Sequence, residues 1–335
     1  MVIKQVNGAG ARIPGAKSSQ EARPVSERKL RLAFVVATKD RPQELRRMLA
    51  SLAGQPCPPD QVVIVDASAE PVQAVAEDLP ELRVKYLRHE RPSAAAQRNA
   101  GIRAVAGDVD LIGFLDDDAV LAPGAIEAMM AFWEEAPADV GGAGFNLMNP
   151  TRGGLQGLKR SRLAERLGLY ASTPGRVMPS GWQTLMGDVE RTVFVEWLPS
   201  GASVWRRRVL EDVAFDEFFD GYSYVEDVDF SYRVSRRYRL AVVAAAGFYH
   251  YPALGGRRGA YYFGKVEARN RLYFVRKHGL SVSRCCLGIG IRMLMTLGTA
   301  VRHADVHGLG RAMGNCVGIV PGLLAQVRDG ASGVM

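Results

Sequence analysis

The chain has 335 residues, room for one large domain or two of ordinary size, and its 47% hydrophobic and 23% charged content supports a sizeable core and excludes global disorder. The formal net charge of +8 is unevenly placed: Tyr251 to the end carries 12 Lys/Arg against 3 Asp/Glu, and the remainder carries 31 against 32. A uniformly basic nucleic-acid binder does not have that distribution, whereas a neutral catalytic region with a basic appendage does.

Residues 1–29 mix Gly, Pro, Ser, Lys and Arg without periodicity or an apolar h-region, so a mobile tail is expected and a secretory signal is not. Leu32–Ala37 is a short apolar run fit for a buried strand. From Pro42 to Ala53, Leu45, Met48, Leu49 and Leu52 recur at helical spacing. Gln61–Val65 is a second strand ended by Asp66, Val72–Asp78 reads as helix, and Val84–Leu87 is a third strand. A small-residue helix over Ser93–Val105, a fourth strand over Leu111–Leu115 ended by Asp116, and a helix over Pro123–Glu135 follow. This alternation implies a parallel sheet covered on both faces, with ligands beyond the carboxyl ends of its strands. Past Gly141, strand-like pieces (Val140–Phe145, Val193–Trp197, Ala202–Trp205, Leu240–Ala244) alternate with Gly/Arg-rich loops. Arg152–Asp188 is irregular enough to serve as a lid or acceptor loop, and Val225–Tyr238 reads as a helix.

The carboxylates are the chemically informative residues. Asp116, Asp117 and Asp118 follow a buried strand directly, and three adjacent carboxylates repel one another unless a cation or solvent relieves them. In an extended segment Asp116 and Asp118 point the same way, a pattern that suits Mg²⁺ or Mn²⁺ with open positions for phosphate oxygens; a solvated acidic turn is the alternative. Asp66 ends a strand as a turn former or a ligand for base or ribose, and Asp40 either serves a ligand or caps the helix that Pro42 opens. In Glu226-Asp227-Val-Asp229, Asp227 and Asp229 lie about 200° apart on a helix and cannot serve one reacting centre. Asp229 is spaced to pair with Arg233, and the cluster either complements the dipole of a first helical turn or supplies one carboxylate as a general base. His250 follows a strand as a hydrogen-bonded structural residue or a metal ligand. No G-x-G-x-x-G follows the first strand, and there is no P-loop and no G-x-S-x-G elbow. The 4 cysteines form no C-x-x-C pair and no zinc-spaced group, which fits a reducing compartment.

Six segments in order, LAFVVATKDRPQELRRMLASL, VVIVDAS, RPSAAAQRNAGI, IGFLDDDAVLAPGAIEAM, LPSGASVWRR and YVEDVDFSYRV, resemble the motifs of family-2 glycosyltransferases of the GT-A fold over roughly residues 31–278. The resemblance implies an α/β fold: a Rossmann-like nucleotide-binding mixed sheet flanked by helices (residues 30–278), with a basic helical C-terminal extension (279–335). It also implies roles. Thr38, Asp40, Asp66 and Asp117 would face a UDP- or dTDP-linked sugar, with Asp40 and Asp66 at the base. Arg98 would approach the pyrophosphate or the acidic loop, Asp116 and Asp118 would form the D-x-D pair with Asp118 the direct ligand of Mn²⁺ or Mg²⁺, His250 would be a further ligand, and Asp227 would be the base. Lys39 and Ala67 depart from the small polar and second acidic residues of the family pattern. The implied reaction is a single inverting displacement by a hydroxyl of a glycan or polyprenyl-linked acceptor in cell-surface polysaccharide assembly. A non-catalytic scaffold of the same fold is the competing reading, and intact Asp118 and Asp227 speak against it.

Tyr261–Gly279 resembles a segment of bacterial polysaccharide-assembly members, including rhamnosyltransferases. Beyond it, Cys285–Val301 has one charge, Arg292, and a wheel gathers Arg284, Arg292, Thr296, Thr299, Arg302 and His303 within about 120°. That amphipathic helix either packs on the catalytic domain or docks on an anionic membrane, aided by a second uncharged run after Arg311. No run of about 18 uncharged apolar residues occurs, so a spanning segment is not expected, and the location expected is cytoplasmic, peripheral to the inner face of the plasma membrane. No base-stacking aromatic platform points to a nucleic acid.

Overall fold

A computed structural model describes residues 29–150, 161–184, 186–221, 223–252 and 259–327. The expected N-terminal tail, residue 29 apart, and the first part of the expected lid lie outside them. The strands are β1 (Leu32–Thr38), β2 (Gln61–Asp66), β3 (Val84–Arg88), β4 (Leu111–Asp116), β5 (Ala119–Leu121), β6 (Val140–Leu147), β7 (Val193–Val195), β8 (Ala202–Arg206) and β9 (Arg239–His250). The helices are α1 (Pro42–Ala53), α2 (Gln73–Glu77), α3 (Ala94–Ala104), α4 (Ala125–Glu135), α5 (Arg162–Arg166), α6 (Arg207–Asp212), α7 (Glu226–Ser235), α8 (Ala260–Lys277), α9 (Val282–His303) and α10 (Val306–Leu324).

One sheet runs β3-β2-β1-β4-β8-β6-β9-β5, with β7 also on β9. The expected parallel pairing holds for β1 to β4. β8 then enters antiparallel between β4 and β6, so the sheet is mixed. The apolar run of β1 is explained by burial on both faces. Leu32, Phe34 and Val36 pack with Leu45, Met48, Leu49 and Leu52 of α1, and Ala33 and Val35 pack on the opposite side with Ala95 of α3 and Phe230 of α7. Pro42 opens α1, whose N-cap, Arg41, makes no side-chain cap bond. Asp40 therefore does not cap this helix; its Oδ1 accepts from the Ala69 amide at 2.8 Å instead.

The C-terminal helices join the fold through α8. Glu267, 1% exposed, is held by Arg292 of α9 and Arg311 of α10, each at 3.0 Å. α10 crosses α8 at backbone contact: a Cβ on Gly314 or Gly318 would meet the carbonyl oxygen of Tyr261 or Lys265. By length and composition α9 is able to cross a bilayer, contrary to the expectation from uncharged runs; Arg292 interrupts its apolar stretch. The expected polar face of α9 is also divided. Arg292 turns inward to the buried carboxylate, while Arg284, Arg302 and His303 stay exposed.

Candidate functional site

Register sets the first half of the site. Thr38 on β1 is paired with Asp66 on β2, and Ala37 with Asp116 on β4, so three strands end on one edge. Gly201, at the entry to β8, carries no side chain because a Cβ there would meet Oδ2 of Asp116 at 2.6 Å. The Asp triplet is not extended: Asp116 ends β4, and Asp117 and Asp118 turn the chain into β5. The expected extended geometry of Asp116 to Asp118 therefore fails, although both side chains line the same cleft, and each finds its own partner. Asp116 accepts from Arg98 Nη2 at 2.9 Å, whereas Oδ1 of Asp118 lies 3.1 Å from His250 Nε2. Asp117 is buried, accepting from Thr38 Oγ1 at 2.8 Å and Arg41 Nη1 at 2.9 Å. Burial pushes its carboxyl up to about 6, against the pull of Arg41 and Thr38.

β5 is the short strand that the sequence did not announce. Ala119 pairs with His250 in its antiparallel ladder with β9, and this brings the imidazole beside Asp118.

The other wall of the site is the loop into α7. Ser223 (φ 49°) and Val225 (φ 79°) are both left-handed, an unfavourable conformation for a β-branched residue and one that tertiary packing must hold. Val225 is the N-cap of α7, so its conformation aims the first turn, Glu226 and Asp227, into the cleft. Arg98, buried on α3, donates to Glu226 at 2.8 Å as well as to Asp116. Burial works against its charge, but Asp116 and Glu226 outweigh that and raise its pKa. Asp227 is only half-buried and accepts from the Val228 amide at 2.8 Å. Desolvation raises both Glu226 and Asp227, and for Glu226 the neighbouring Asp227 charge adds to it. Asp229 turns away, as the spacing predicted: it pairs with Arg233 at 3.1 Å and also with Lys277 at 2.9 Å and His278 at 2.8 Å.

The groups on the sheet edge and the first turn of α7, without Asp229, line one cleft of about 360 Å³. Of the residues assigned from sequence, Thr38, Arg98, Asp116, Asp117, Asp118, Asp227 and His250 line it; Asp40 and Asp66 do not. Asp66 is fully buried and takes bonds from the amides of Ser68 and Val72, from Tyr86 Oη at 2.5 Å and from Arg88 Nη1 at 2.6 Å. Burial raises its pKa, but the bonds from Ser68, Tyr86 and Val72 outweigh it and hold the carboxyl below its ordinary range. Arg41 and Glu226 are site residues to which the sequence reading gave no role, although both stand inside quoted motifs. Arg271 was missed as well: buried on α8, it donates to Gln183 Oε1 at 3.0 Å and Tyr224 Oη at 3.2 Å, two residues of the cleft wall.

Five carboxylates (Asp116, Asp117, Asp118, Glu226 and Asp227) face three cations (Lys39, Arg41 and Arg98) in the cleft, an acidic excess that favours a bound cation. Among the described residues no group of three or more His, Cys, Asp or Glu side chains is placed to hold a metal by itself. The Asp118–His250 pair offers one carboxylate and one imidazole, which fits Mg²⁺ or Mn²⁺ sharing its remaining positions with phosphate oxygens and water.

Residues 33–178 match the family model described as glycosyl transferase family 2. "Uncharacterized glycosyltransferase YwdF" of Bacillus subtilis (strain 168) is 28% identical over 260 residues, 75% of this chain and 85% of the relative. Among solved structures, S. aureus TarS 1-349 in complex with UDP-GlcNAc is similar at TM-score 0.51 and 15% identity, over 85% of this chain and 90% of that one. Its UDP complex gives 0.50 and 18%, over 73% of this chain and 64% of that one. The mannosyltransferase PcManGT of Pyrobaculum calidifontis, in complex with GDP-Man and Mn²⁺, gives 0.51 and 14%, over 89% and 88%.

Proposed function

We propose that the chain is a family-2 glycosyltransferase of the GT-A fold, the reading that the family match over residues 33–178 and the similarly folded structures support, and that it transfers a sugar from a nucleoside-diphosphate donor to an acceptor hydroxyl, with inversion. The observation that carries this reading is the facing of two carboxylate groups across one cleft: Asp118 with His250 on the sheet edge, and Asp227 on the first turn of α7. Solved structures of the fold hold UDP, UDP-GlcNAc or GDP-Man with Mn²⁺, which supports a nucleotide-sugar donor and a divalent ion here.

Asp118 and His250 would hold the ion, which when bound offsets the charge on the departing diphosphate. Lys39 and Arg41 add positive charge on the same side. Thr38 and Arg41 fix Asp117 beneath them. Asp227 accepts the proton of the acceptor hydroxyl as that oxygen bonds to the anomeric carbon and the bond from carbon to diphosphate oxygen breaks. Its raised pKa brings it closer to the pH at which a base both accepts and is available. One displacement inverts the carbon and requires no nucleophile from the protein. Asp116 and Glu226, tied by Arg98, keep the two walls in register. The acceptor is a glycan or a polyprenyl-linked glycan in cell-surface polysaccharide assembly, presented on the cytoplasmic side.

A panel of UDP-, dTDP- and GDP-sugars, with released diphosphate read with and without Mn²⁺, tests the reading. Metal-dependent release from one donor class is expected. Failure of every nucleotide to bind with Mn²⁺ in calorimetry would overturn it.

A further inference from the structure

We propose that the outer face of the α9–α10 hairpin is a docking surface for an anionic lipid bilayer, on which the helices lie in the headgroup region without spanning it. This surface is separate from the cleft, and its test does not depend on the donor.

Leu287, Leu294 and Val301 on α9, and Val306, Met313 and Val320 on α10, are all more than half exposed. Each set recurs every seven residues. Seven residues are two turns less about 20°, so each set forms a stripe along its helix. The residues that each helix buries are out of line with its stripe: Cys285, Ile289 and Ala300 on α9, and Gly314, Asn315 and Gly318 on α10. The hairpin is thus fastened on one side, with Glu267 at the joint, and apolar on the other. A soluble protein covers such stripes unless something else does.

Charge selects the occupant. Between residues 279 and 327 the sequence has one carboxylate, Asp305, and that side chain is spent on the α10 N-cap, accepting from the His307 amide at 2.9 Å. Arg292 and Arg311 both turn inward to Glu267, which leaves Arg284 and Arg302 exposed at opposite ends of α9. Two copies of this face would bring cations against cations. A bilayer of anionic headgroups meets the apolar stripes with acyl carbon and the two arginines with phosphate.

Spanning is excluded by the same contacts. Arg292 sits mid-helix in an ion pair with a buried carboxylate of α8, and Gly288 packs against the Trp182 ring. Crossing a bilayer would strip α9 from both.

The test is co-sedimentation of the full-length protein with phosphatidylglycerol/phosphatidylcholine vesicles and with phosphatidylcholine alone. Binding to the anionic vesicles is expected to be at least tenfold stronger, and to weaken but persist in high salt. Leu294→Glu with Val320→Glu, both exposed in the folded protein, should abolish it while calorimetric nucleotide affinity stays unchanged. Arg284→Gln with Arg302→Gln should weaken it by about fivefold per arginine and is a second route should the first variant misfold. Wild-type protein that ignores anionic vesicles, or a folded glutamate variant that binds them as wild type does, would overturn the proposal. So would a solution dimer that the glutamate variant dissociates in the absence of vesicle binding.

Discussion

Arg98 and Glu226 form a buried ion pair 2.8 Å long between residues 128 apart in the chain. The guanidinium also reaches Asp116, so one side chain of α3 joins the sheet edge to the start of α7. Arg98→Met leaves two carboxylates without their cation and is expected to lower the unfolding free energy by about 3–5 kcal/mol. Glu226→Gln keeps an acceptor and should cost less. Urea denaturation measures both, and a loss under about 1 kcal/mol for Arg98→Met would remove the pair from the account of the site.

Asp227→Asn should leave donor affinity near wild type and lower turnover by about 10²–10⁴. Asp229→Asn should chiefly destabilise, because Arg233, Lys277 and His278 all converge on that carboxylate. A folded Asp229→Asn protein without turnover, beside an active Asp227→Asn protein, would assign the base to the wrong residue.

Asp118→Ala is expected to abolish Mn²⁺-dependent nucleotide binding, and His250→Ala to weaken it. Asp116→Ala should be milder on the metal, since Asp116 is engaged by Arg98. Titration calorimetry of UDP or dTDP with Mn²⁺ checks the order, and unchanged affinity in Asp118→Ala would sink the metal assignment.

Burial alone would raise Asp229, but the bonds and charges of His278, Arg233 and Lys277 outweigh it and hold its pKa at about 2. Its folded value lies below the unfolded one, so its stabilisation is complete above about pH 4 and is lost as the pH falls towards 2. The size is of order 2 kcal/mol. Stability against pH from 5 to 2, measured by denaturant titration, should be flatter in Asp229→Asn than in wild type.

Gly314→Ala should separate α10 from α8, because the added methyl meets a backbone carbonyl and not a movable side chain. A loss of about 1–3 kcal/mol is expected. Ala substitution at Gly298, where a Cβ meets nothing within 4 Å, should be neutral or slightly stabilising. Thermal melts of the two variants separate helix packing from helix propensity.

What the sequence determined by itself is local. Apolar runs of four to six residues marked β1, β2 and β4 because strands buried on both faces are apolar through their length, and the 3.6-residue recurrence of Leu45, Met48, Leu49 and Leu52 marked α1. The carboxylates at the strand ends were legible for the same reason: hydrophobicity stops where the sheet edge meets solvent. The 200° separation of Asp227 from Asp229 followed from helix geometry alone, and the structure turns the two apart. Tertiary structure decided whatever depends on strand order and register. Asp118 meets His250, 132 residues away, through a three-residue strand too short to have a period. Asp116 and Asp118 take different partners, Arg98 and His250, where a turn and not an extended chain joins β4 to β5. Arg98 finds Glu226, and Asp229 finds Lys277 and His278, across elements whose adjacency no local pattern encodes. The same holds for α9, where composition described an amphipathic helix but could not say which side the fold would take. The buried charge of Glu267 decided that, by drawing Arg292 and Arg311 inward and leaving the apolar stripes facing out.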